Sequence, residues 1–138
     1  MDIAQERVRQ CIENEGEWLF LNDLNLTELP EIPSNLKYLN CKDNQLTKLP
    51  DNLQNLIYLD CSNNQLTKLP DNLQNLKKLN CYKNQLTELP NNLSNLISLR
   101  CDCNKLIKLS ENLYNLNSLA CWSNKLTKLP NNLPNLIE

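Results

Sequence analysis

The amino-acid sequence predicts an α/β repeat solenoid with about six short parallel strands on its concave side. Three observations lead to this fold class: two residue types dominate the composition, one cysteine recurs every 20 residues, and a single pattern surrounds each of these cysteines. Of 138 residues, 31 are Leu and 25 are Asn. These two types make up about 40% of the chain, against about 14% in typical proteins, and such a bias is typical of internal repeats.

The repeat is centred on Cys41, Cys61, Cys81, Cys101 and Cys121. The sequences around these cysteines are LKYLNCKDNQL, LIYLDCSNNQL, LKKLNCYKNQL, LISLRCDCNKL and LNSLACWSNKL. All fit L-x-x-L-x-C-x-x-N-x-L, and a weaker first copy has Leu19, Leu21 and Leu26 at the same offsets. Apolar and variable residues alternate around the cysteine, as in a strand with one buried face. We therefore expect each repeat to add one strand to a parallel sheet.

An asparagine follows each strand, in a column formed by Asn44, Asn64, Asn84, Asn104 and Asn124. Because an amide both donates and accepts hydrogen bonds, we expect it to pair with backbone groups of its own turn and the next. The nine-residue connections mostly contain a Leu-Pro pair, as at Leu49 and Pro50. Proline fixes φ and interrupts helices, which predicts extended or short 3₁₀ backbone on the convex side.

Residues 1–16 are predicted to form an N-terminal capping helix, followed by a solenoid over residues 17–138. The apolar stripe of this helix consists of Ala4, Val8, Cys11 and Ile12. Gly16 stands where a helix C-cap favours positive φ. Terminal repeats need such a cover, and a helix that binds a membrane or a partner is the alternative. The last unit is expected to be incomplete, with an open edge that invites pairing.

The composition excludes several classes of function. The chain has no His, one Gly and a net charge of -2. Without His there is no His-dependent nucleophile or His-ligated zinc site, and one Gly cannot build a phosphate-binding loop. The acidic balance argues against nucleic-acid binding. The start MDIAQERVRQ lacks the apolar core of a signal peptide, and no apolar run approaches about 18 residues. We expect a cytoplasmic protein, in its own cell or in a host cytosol.

The cysteine column is predicted to be structural, with the thiols acting as small buried hydrophobes in a reducing cytosol. A metal or redox site built from stacked thiols is the alternative. It lacks the electropositive surroundings that favour thiolates. Cys103 is expected to be a free surface thiol beside Asp102. No catalytic residue, metal or cofactor is expected.

These motifs resemble the leucine-rich repeat family over about residues 17 to 136. The 20-residue length and the L-P-x-x-L signature are similar to the repeats of secreted effector proteins of enteric bacteria and of giant amoebal virus proteins. The resemblance implies an arc-shaped solenoid. In the similar bacterial effectors such repeats precede a ubiquitin-ligase domain, and nothing in this sequence resembles that catalytic domain.

The outward strand positions vary while the frame does not, and this contrast is the main indication of function. These positions are rich in Tyr and Trp, which dominate binding hot spots. The predicted partner-binding residues are Tyr38, Asn40, Lys42, Tyr58, Asp60, Lys78, Asn80, Tyr82, Arg100, Asp102 and Trp122. Aromatic residues also suit exposed strands in general. For Trp18 and Phe20 the favoured interpretation is packing under the N-terminal helix.

The leading hypothesis is a non-catalytic protein-protein interaction module that binds a protein of unknown identity on its concave sheet. One alternative is the substrate-recognition part of a larger host-directed effector or ubiquitin ligase. Another is a scaffold that assembles through its open C-terminal edge. We expect a monomer or a weak homodimer, with neither a nucleic acid nor a membrane as partner.

Overall fold

The computed structural model of the chain describes residues 2–137. One helix and six strands follow each other in the order α1 (Ile3–Glu13), β1 (Trp18–Phe20), β2 (Tyr38–Asn40), β3 (Tyr58–Asp60), β4 (Lys78–Asn80), β5 (Ser98–Arg100) and β6 (Ser118–Ala120). The strands form one parallel sheet in sequence order. The predicted fold class, a solenoid of six parallel strands preceded by a short helix, is confirmed.

The register of the sheet follows directly from the 20-residue period. Leu39 pairs with Leu59, and Leu59 in turn pairs with Leu79. Because every neighbouring strand is offset by one whole repeat, each column of the sequence becomes a row of side chains along the solenoid. The inward rows form a continuous core of Leu and Cys side chains. Burial of this apolar surface is the main favourable term in folding.

The convex side has extended backbone with one hydrogen-bonded turn in each repeat. The backbone N–H of Leu56 donates to the carbonyl oxygen of Leu53 at 3.1 Å, and the same bond recurs 20 residues later. No 3₁₀ helix is formed within residues 2–137. Ser110, which stands where other repeats have Pro, accepts a hydrogen bond from the backbone N–H of Asn112 at 3.2 Å.

Helix α1 covers the first strand of the sheet. Its buried residues are Ala4, Val8 and Cys11. The Asp2 side chain caps the helix by accepting a hydrogen bond from the backbone N–H of Gln5 at 2.7 Å. The Arg7 guanidinium donates to the carbonyl oxygen of Phe20 at 2.8 Å, which satisfies a polar group at the edge of the sheet.

Two details of the predicted helix are wrong. Ile12 is 57% exposed, because the buried face ends at Cys11 and the next residue points about 100° away. Glu15, not Gly16, has the positive φ of 51°. The backbone N–H of Glu15 bonds to the oxygen of Ile12, and that of Gly16 bonds to the oxygen of Cys11. This is a Schellman motif in which Gly16 takes the position after the left-handed residue.

The predicted asparagine column lies buried or half-buried beneath the turns. Asn64 Nδ2 donates to the carbonyl oxygens of Cys41 and Cys61, each at 3.1 Å. Asn64 Oδ1 accepts from the backbone N–H of Leu46 at 2.9 Å. The neighbour that it bonds is therefore the preceding turn and not the next one. The amide is attached after its own strand and reaches back to the carbonyl and N–H groups that the previous turn leaves unpaired.

The convex side carries a second asparagine column that the sequence analysis missed. Asn75 Nδ2 donates to the carbonyl oxygen of Gln54 at 2.7 Å, and Asn95 Nδ2 to that of Gln74 at 2.8 Å. The same bond is made by Asn55, Asn115 and Asn135. The signal was present in the sequence, since these asparagines also recur every 20 residues. Successive repeats are thus bonded on both sides of the core.

The residue two positions after each repeat cysteine lies in the left-handed region. The residues concerned are Asp43, Asn63, Lys83, Cys103 and Ser123, with φ between 52° and 56°. Asn and Asp occupy this region more readily than other residues that carry a Cβ atom. Lys83 is exposed and has a φ of 54°. This left-handed backbone conformation is less favourable for Lys than for Asn or Asp.

Replacing a buried ladder asparagine will destabilise the chain. Asn84→Ala removes the acceptor of the Leu66 N–H, at 2.9 Å, and the donors to the carbonyls of Cys61 and Cys81. We expect a loss of about 2–4 kcal/mol of unfolding free energy, because buried polar groups remain unpaired. Urea unfolding measures it. The control, Asn75→Ala, removes one exposed bond and should cost about 1 kcal/mol or less. Equal losses would contradict the ladder's role.

Lys83→Asn will stabilise the chain by about 0.5–1 kcal/mol, because Asn tolerates the left-handed conformation better than Lys. The measurement is the unfolding midpoint in urea at constant pH. Lys78→Asn is the matched control, since it makes the same change in strand β4, where Asn is disfavoured. The prediction fails if the two variants shift the midpoint in the same direction.

Candidate protein-binding face

The concave face consists of the outward side chains of the six strands and of the residues that follow the repeat cysteines. Strands β1 to β5 bury their central Leu, and Leu119 of β6 is half-buried. Each strand points its first and third side chains to this face. Among the predicted contact residues, Lys78, Arg100 and Trp122 are exposed. Those that are half-buried are Tyr38, Asn40, Lys42, Tyr58, Asn80 and Tyr82. Because neighbouring strands are in register, these side chains lie in adjacent rows.

An aromatic cluster, formed by Trp18, Phe20 and Tyr38, occupies the β1 end of the face. The ring centroids of Trp18 and Tyr38 are 3.8 Å apart and the rings are nearly parallel, at 8°. Phe20 lies 6.1 Å from Trp18. Trp18 is 55% and Phe20 51% exposed, so the interpretation that they pack under the helix is wrong. Helix α1 covers the edge of β1 and leaves its concave side open.

Arg100 is held in place by two neighbours. Its guanidinium carbon lies 4.5 Å from the centroid of the Tyr82 ring, a cation-π geometry. Its Nε donates to Asp102 Oδ1 at 3.2 Å. Asp102 is fully buried, and its Oδ2 has no hydrogen-bond partner among the described residues. The exposure expected for Asp102 is therefore wrong. Its structural effect is to position Arg100.

Asp60 is also buried rather than exposed, because polar neighbours surround its carboxylate. Asp60 Oδ1 accepts from the Ser62 hydroxyl at 2.6 Å and from the Ser62 backbone N–H at 3.0 Å. Oδ2 accepts from Asn80 Nδ2 at 3.3 Å. Partial burial, and then the nearby Asp60 carboxylate, raise the pKa of Tyr58. The charged side chains that the concave face presents to solvent are consequently Lys42, Lys78 and Arg100.

The cysteine column forms a row of buried thiols beneath this face. Cys41, Cys61, Cys81 and Cys101 are each 0% exposed. Burial raises the pKa of all four thiols, because a thiolate would lose its hydration. Cys103 and Cys121 are half-buried. Across residues 2–137, no group of three or more His, Cys, Asp or Glu side chains is placed to hold a metal ion.

The comparisons with known proteins agree with this geometry. A two-copy model described as "Leucine Rich repeats" matches residues 34–75, and a "Leucine Rich Repeat" model matches residues 75–96. The chain belongs to the leucine-rich repeat family. No curated protein matches it. Within the part that the structure describes, no helix has the length and apolar character needed to cross a membrane.

Several solved structures have the same fold. YopM from Yersinia enterocolitica WA-314 is 37% identical, with a TM-score of 0.92, over 98% of this chain and 31% of that chain. A Shigella effector leucine-rich repeat domain is 33% identical, with a TM-score of 0.88, over 92% of this chain and 58% of that one. The predicted resemblance to enteric effector repeats is confirmed. This leucine-rich repeat chain spans about a third of the YopM chain and just over half of the Shigella chain.

A third structure is similar over the whole length of this chain. It is a functional domain of InlJ from Listeria monocytogenes, described as including a cysteine ladder. It is 27% identical, with a TM-score of 0.59, and the match covers 99% of this chain and 35% of that chain. A leucine-rich repeat fold shared with bacterial effectors is consistent with a protein-interaction module.

The buried thiols will make stability fall as pH rises. The pKa values of these thiols are higher in the folded than in the unfolded chain. Their contribution to the free energy of unfolding is therefore complete below the ordinary thiol pKa of about 8.5, and it is lost at higher pH because the thiols of the unfolded chain ionise. Urea unfolding at about pH 7.0, 8.5 and 9.5 measures this loss, up to about 1.4 kcal/mol per thiol and pH unit. Cys61→Ala should be less stable at neutral pH but lose stability less steeply above it. The same slope in both chains would contradict the argument.

Proposed function

We propose that the concave face of this leucine-rich repeat chain is a non-catalytic binding surface for a partner protein. The observation that carries the proposal is the exposure of large aromatic side chains on a rigid, varied surface. Trp18, Phe20 and Trp122 are each more than half exposed on a face whose supporting Leu and Cys rows do not vary. Exposed aromatic side chains on a rigid scaffold are typical of binding hot spots.

The proposal includes a role in a larger host-directed protein. Its support is the similarity to a Shigella effector domain and to YopM, of which this chain spans 58% and 31%. In such a protein the repeats would select the substrate of another domain, and a ubiquitin ligase is the example that the resemblance suggests. We propose that the chain works in a reducing cytosol, either its own cytoplasm or that of a host. The free thiols support this location.

Self-assembly is the second candidate. An unpaired strand edge at β6 would join two copies as a weak homodimer or a scaffold. Sedimentation over a wide concentration range distinguishes this role from that of a monomer, because only self-assembly gives a mass that rises with concentration.

Affinity capture tests the binding proposal. The chain is immobilised and exposed to cytosolic extracts of animal cells and of amoebae, and captured proteins are identified by mass spectrometry. The concave variant is Phe20→Ser with Tyr82→Ser. The matched control, Ile107→Ser with Tyr114→Ser, removes two exposed apolar side chains from outside the concave face.

We expect at least one protein to be held by the natural chain and by the control but lost from the concave variant, because truncating hot-spot aromatics costs about 2 kcal/mol or more. Capture of the same proteins by all three chains would contradict the proposal. So would the absence of any captured protein. Circular dichroism of each variant verifies that the fold is retained.

A further inference from the structure

We propose that the concave face binds an extended acidic segment of a partner protein, with an apolar side chain on the aromatic cluster and a carboxylate on Arg100. This inference rests on the proposed function and specifies the chemistry of the partner. It is carried by three properties of the face: the sign of its exposed charge, the fixed geometry of Arg100, and the distance between Arg100 and the aromatic cluster.

The exposed charge is cationic where β4 and β5 lie. Lys78, Lys83 and Arg100 are exposed around Tyr82. The acids of the concave face are Asp60 and Asp102, and both are buried. Asp60 is bonded to Ser62 and Asn80, and Asp102 is bonded to Arg100 through Oδ1. Arg100 forms an ion pair with Asp102 beneath it. The charged side chains that a partner can contact at this end of the face are therefore cationic.

Asp23 and Asp43 are the nearest other acids. They lie in the turns after β1 and β2, each directly after the last residue of the concave face in its repeat. Asp43 accepts a hydrogen bond from Asn63 Nδ2 at 2.6 Å. The β4 and β5 end of the face therefore exposes cations alone, whereas the β1 and β2 end combines the aromatic cluster with Lys42, Asp23 and Asp43. A ligand whose acidic group is separated from its apolar group can contact both ends of the face. Charge complementarity favours such a ligand over a basic segment.

Arg100 is prepared to bind a carboxylate. Stacking on Tyr82 fixes the plane of the guanidinium, and the bond from Nε to Asp102 fixes its rotation. Among the described residues, Nη1 and Nη2 have no hydrogen-bond partner, and the side chain is 51% exposed. A guanidinium binds a carboxylate through two parallel N–H donors, and holding the donor group in place beforehand reduces the entropy lost on binding.

The spacing sets the length of the segment. Arg100 lies on β5 and the aromatic cluster on β1 and β2. Four strand spacings of about 4.8 Å separate β1 from β5, or about 19 Å. An extended chain advances about 3.3 Å per residue, so about six residues connect the two contacts. A segment that crosses the strands with an apolar residue and an Asp or Glu about six positions apart therefore reaches both.

Single-stranded nucleic acid is the competing class of ligand, because it also combines negative charge with groups that stack on aromatic rings. Grooves for single strands carry aromatic and basic side chains together along the backbone path. Here the stacked rings of Trp18 and Tyr38 lie at the end of the face where Asp23 and Asp43 follow the strands. The chain also carries a net charge of -2, which disfavours a continuous phosphate backbone. The arrangement favours a peptide, and an oligothymidine is included in the test.

The experiment is selection of a displayed library of random twelve-residue peptides on the whole chain. Enriched peptides are then synthesised, and their dissociation constants are measured by fluorescence anisotropy. The charge variant is Lys78→Gln with Arg100→Gln and Asp102→Asn, which removes two cations of the β4 and β5 end without leaving the Asp102 carboxylate unpaired. Lys48→Gln with Lys68→Gln is the control, since it removes two exposed cations from the convex side.

We expect enriched peptides to carry Asp or Glu about six positions from Leu, Phe or Trp. Their affinity should fall about tenfold or more in the charge variant, as expected for a lost charged hydrogen bond, and should not change in the control. If the charge variant fails to fold, Phe20→Ser replaces it, with the same loss expected at the apolar end.

Three outcomes would overturn the inference: enrichment of basic or uncharged peptides, no enrichment, or equal affinity in all variants. Tighter binding of a labelled oligothymidine, lost in the charge variant, would assign the face to nucleic acid instead. Affinity capture separates this inference from the proposed function. A protein held through the concave face, together with no acidic preference among peptides, would refute only the chemistry proposed for the partner.

Discussion

The structure depends on one buried or half-buried amide in each turn from the second to the sixth. Where the chain leaves its strand and bends over the core, N–H and C=O groups lose contact with water, and an unpaired buried group of this kind costs free energy. Asn44, Asn64, Asn84 and their successors pair these groups with the preceding turn. This pairing lets six three-residue strands stack without a helix on the convex side. It also requires that the asparagine occupy the same position in successive turns. The constant 20-residue period meets this requirement.

The repeated Leu, Cys and Asn residues pack and form hydrogen bonds with one another, so the outward residues can vary without loss of the fold. Their properties nevertheless differ from what each residue type suggests. Asp60 and Asp102 stand at outward positions, yet both are buried and bonded to neighbours on the same face. Two of the five charged residues predicted for the site are therefore internal supports. The three that remain are all cationic. The sequence of the face contains charges of both signs, but those predicted charged residues that a partner can contact carry positive charge.

The frame could be predicted from the sequence because it depends on periodicity. Leu39, Cys41 and Asn44 recur at fixed offsets, and one repeat is sufficient to assign their directions. The burial of Asp102 and the position of Arg100 could not be predicted in this way. They depend on contacts among residues from different repeats, such as that of Arg100 with Tyr82. The exposure of Trp18 depends on where α1 packs, and the choice of Glu15 over Gly16 depends on the residue at which the helix ends. Neither is encoded in the period.

The uniform register of the sheet has a consequence for the history of such chains. Each strand bonds only to its immediate neighbours, and the bonds that join β3 to β4 are equivalent to those that join β4 to β5. The junctions are therefore interchangeable, and a block of 20 residues can be lost or duplicated by recombination between similar gene segments without disturbing the pairing of those that remain. The concave surface then grows or shrinks in steps of about 4.8 Å. Reach and recognition can evolve separately, the first through the number of blocks and the second through the outward side chains of each block.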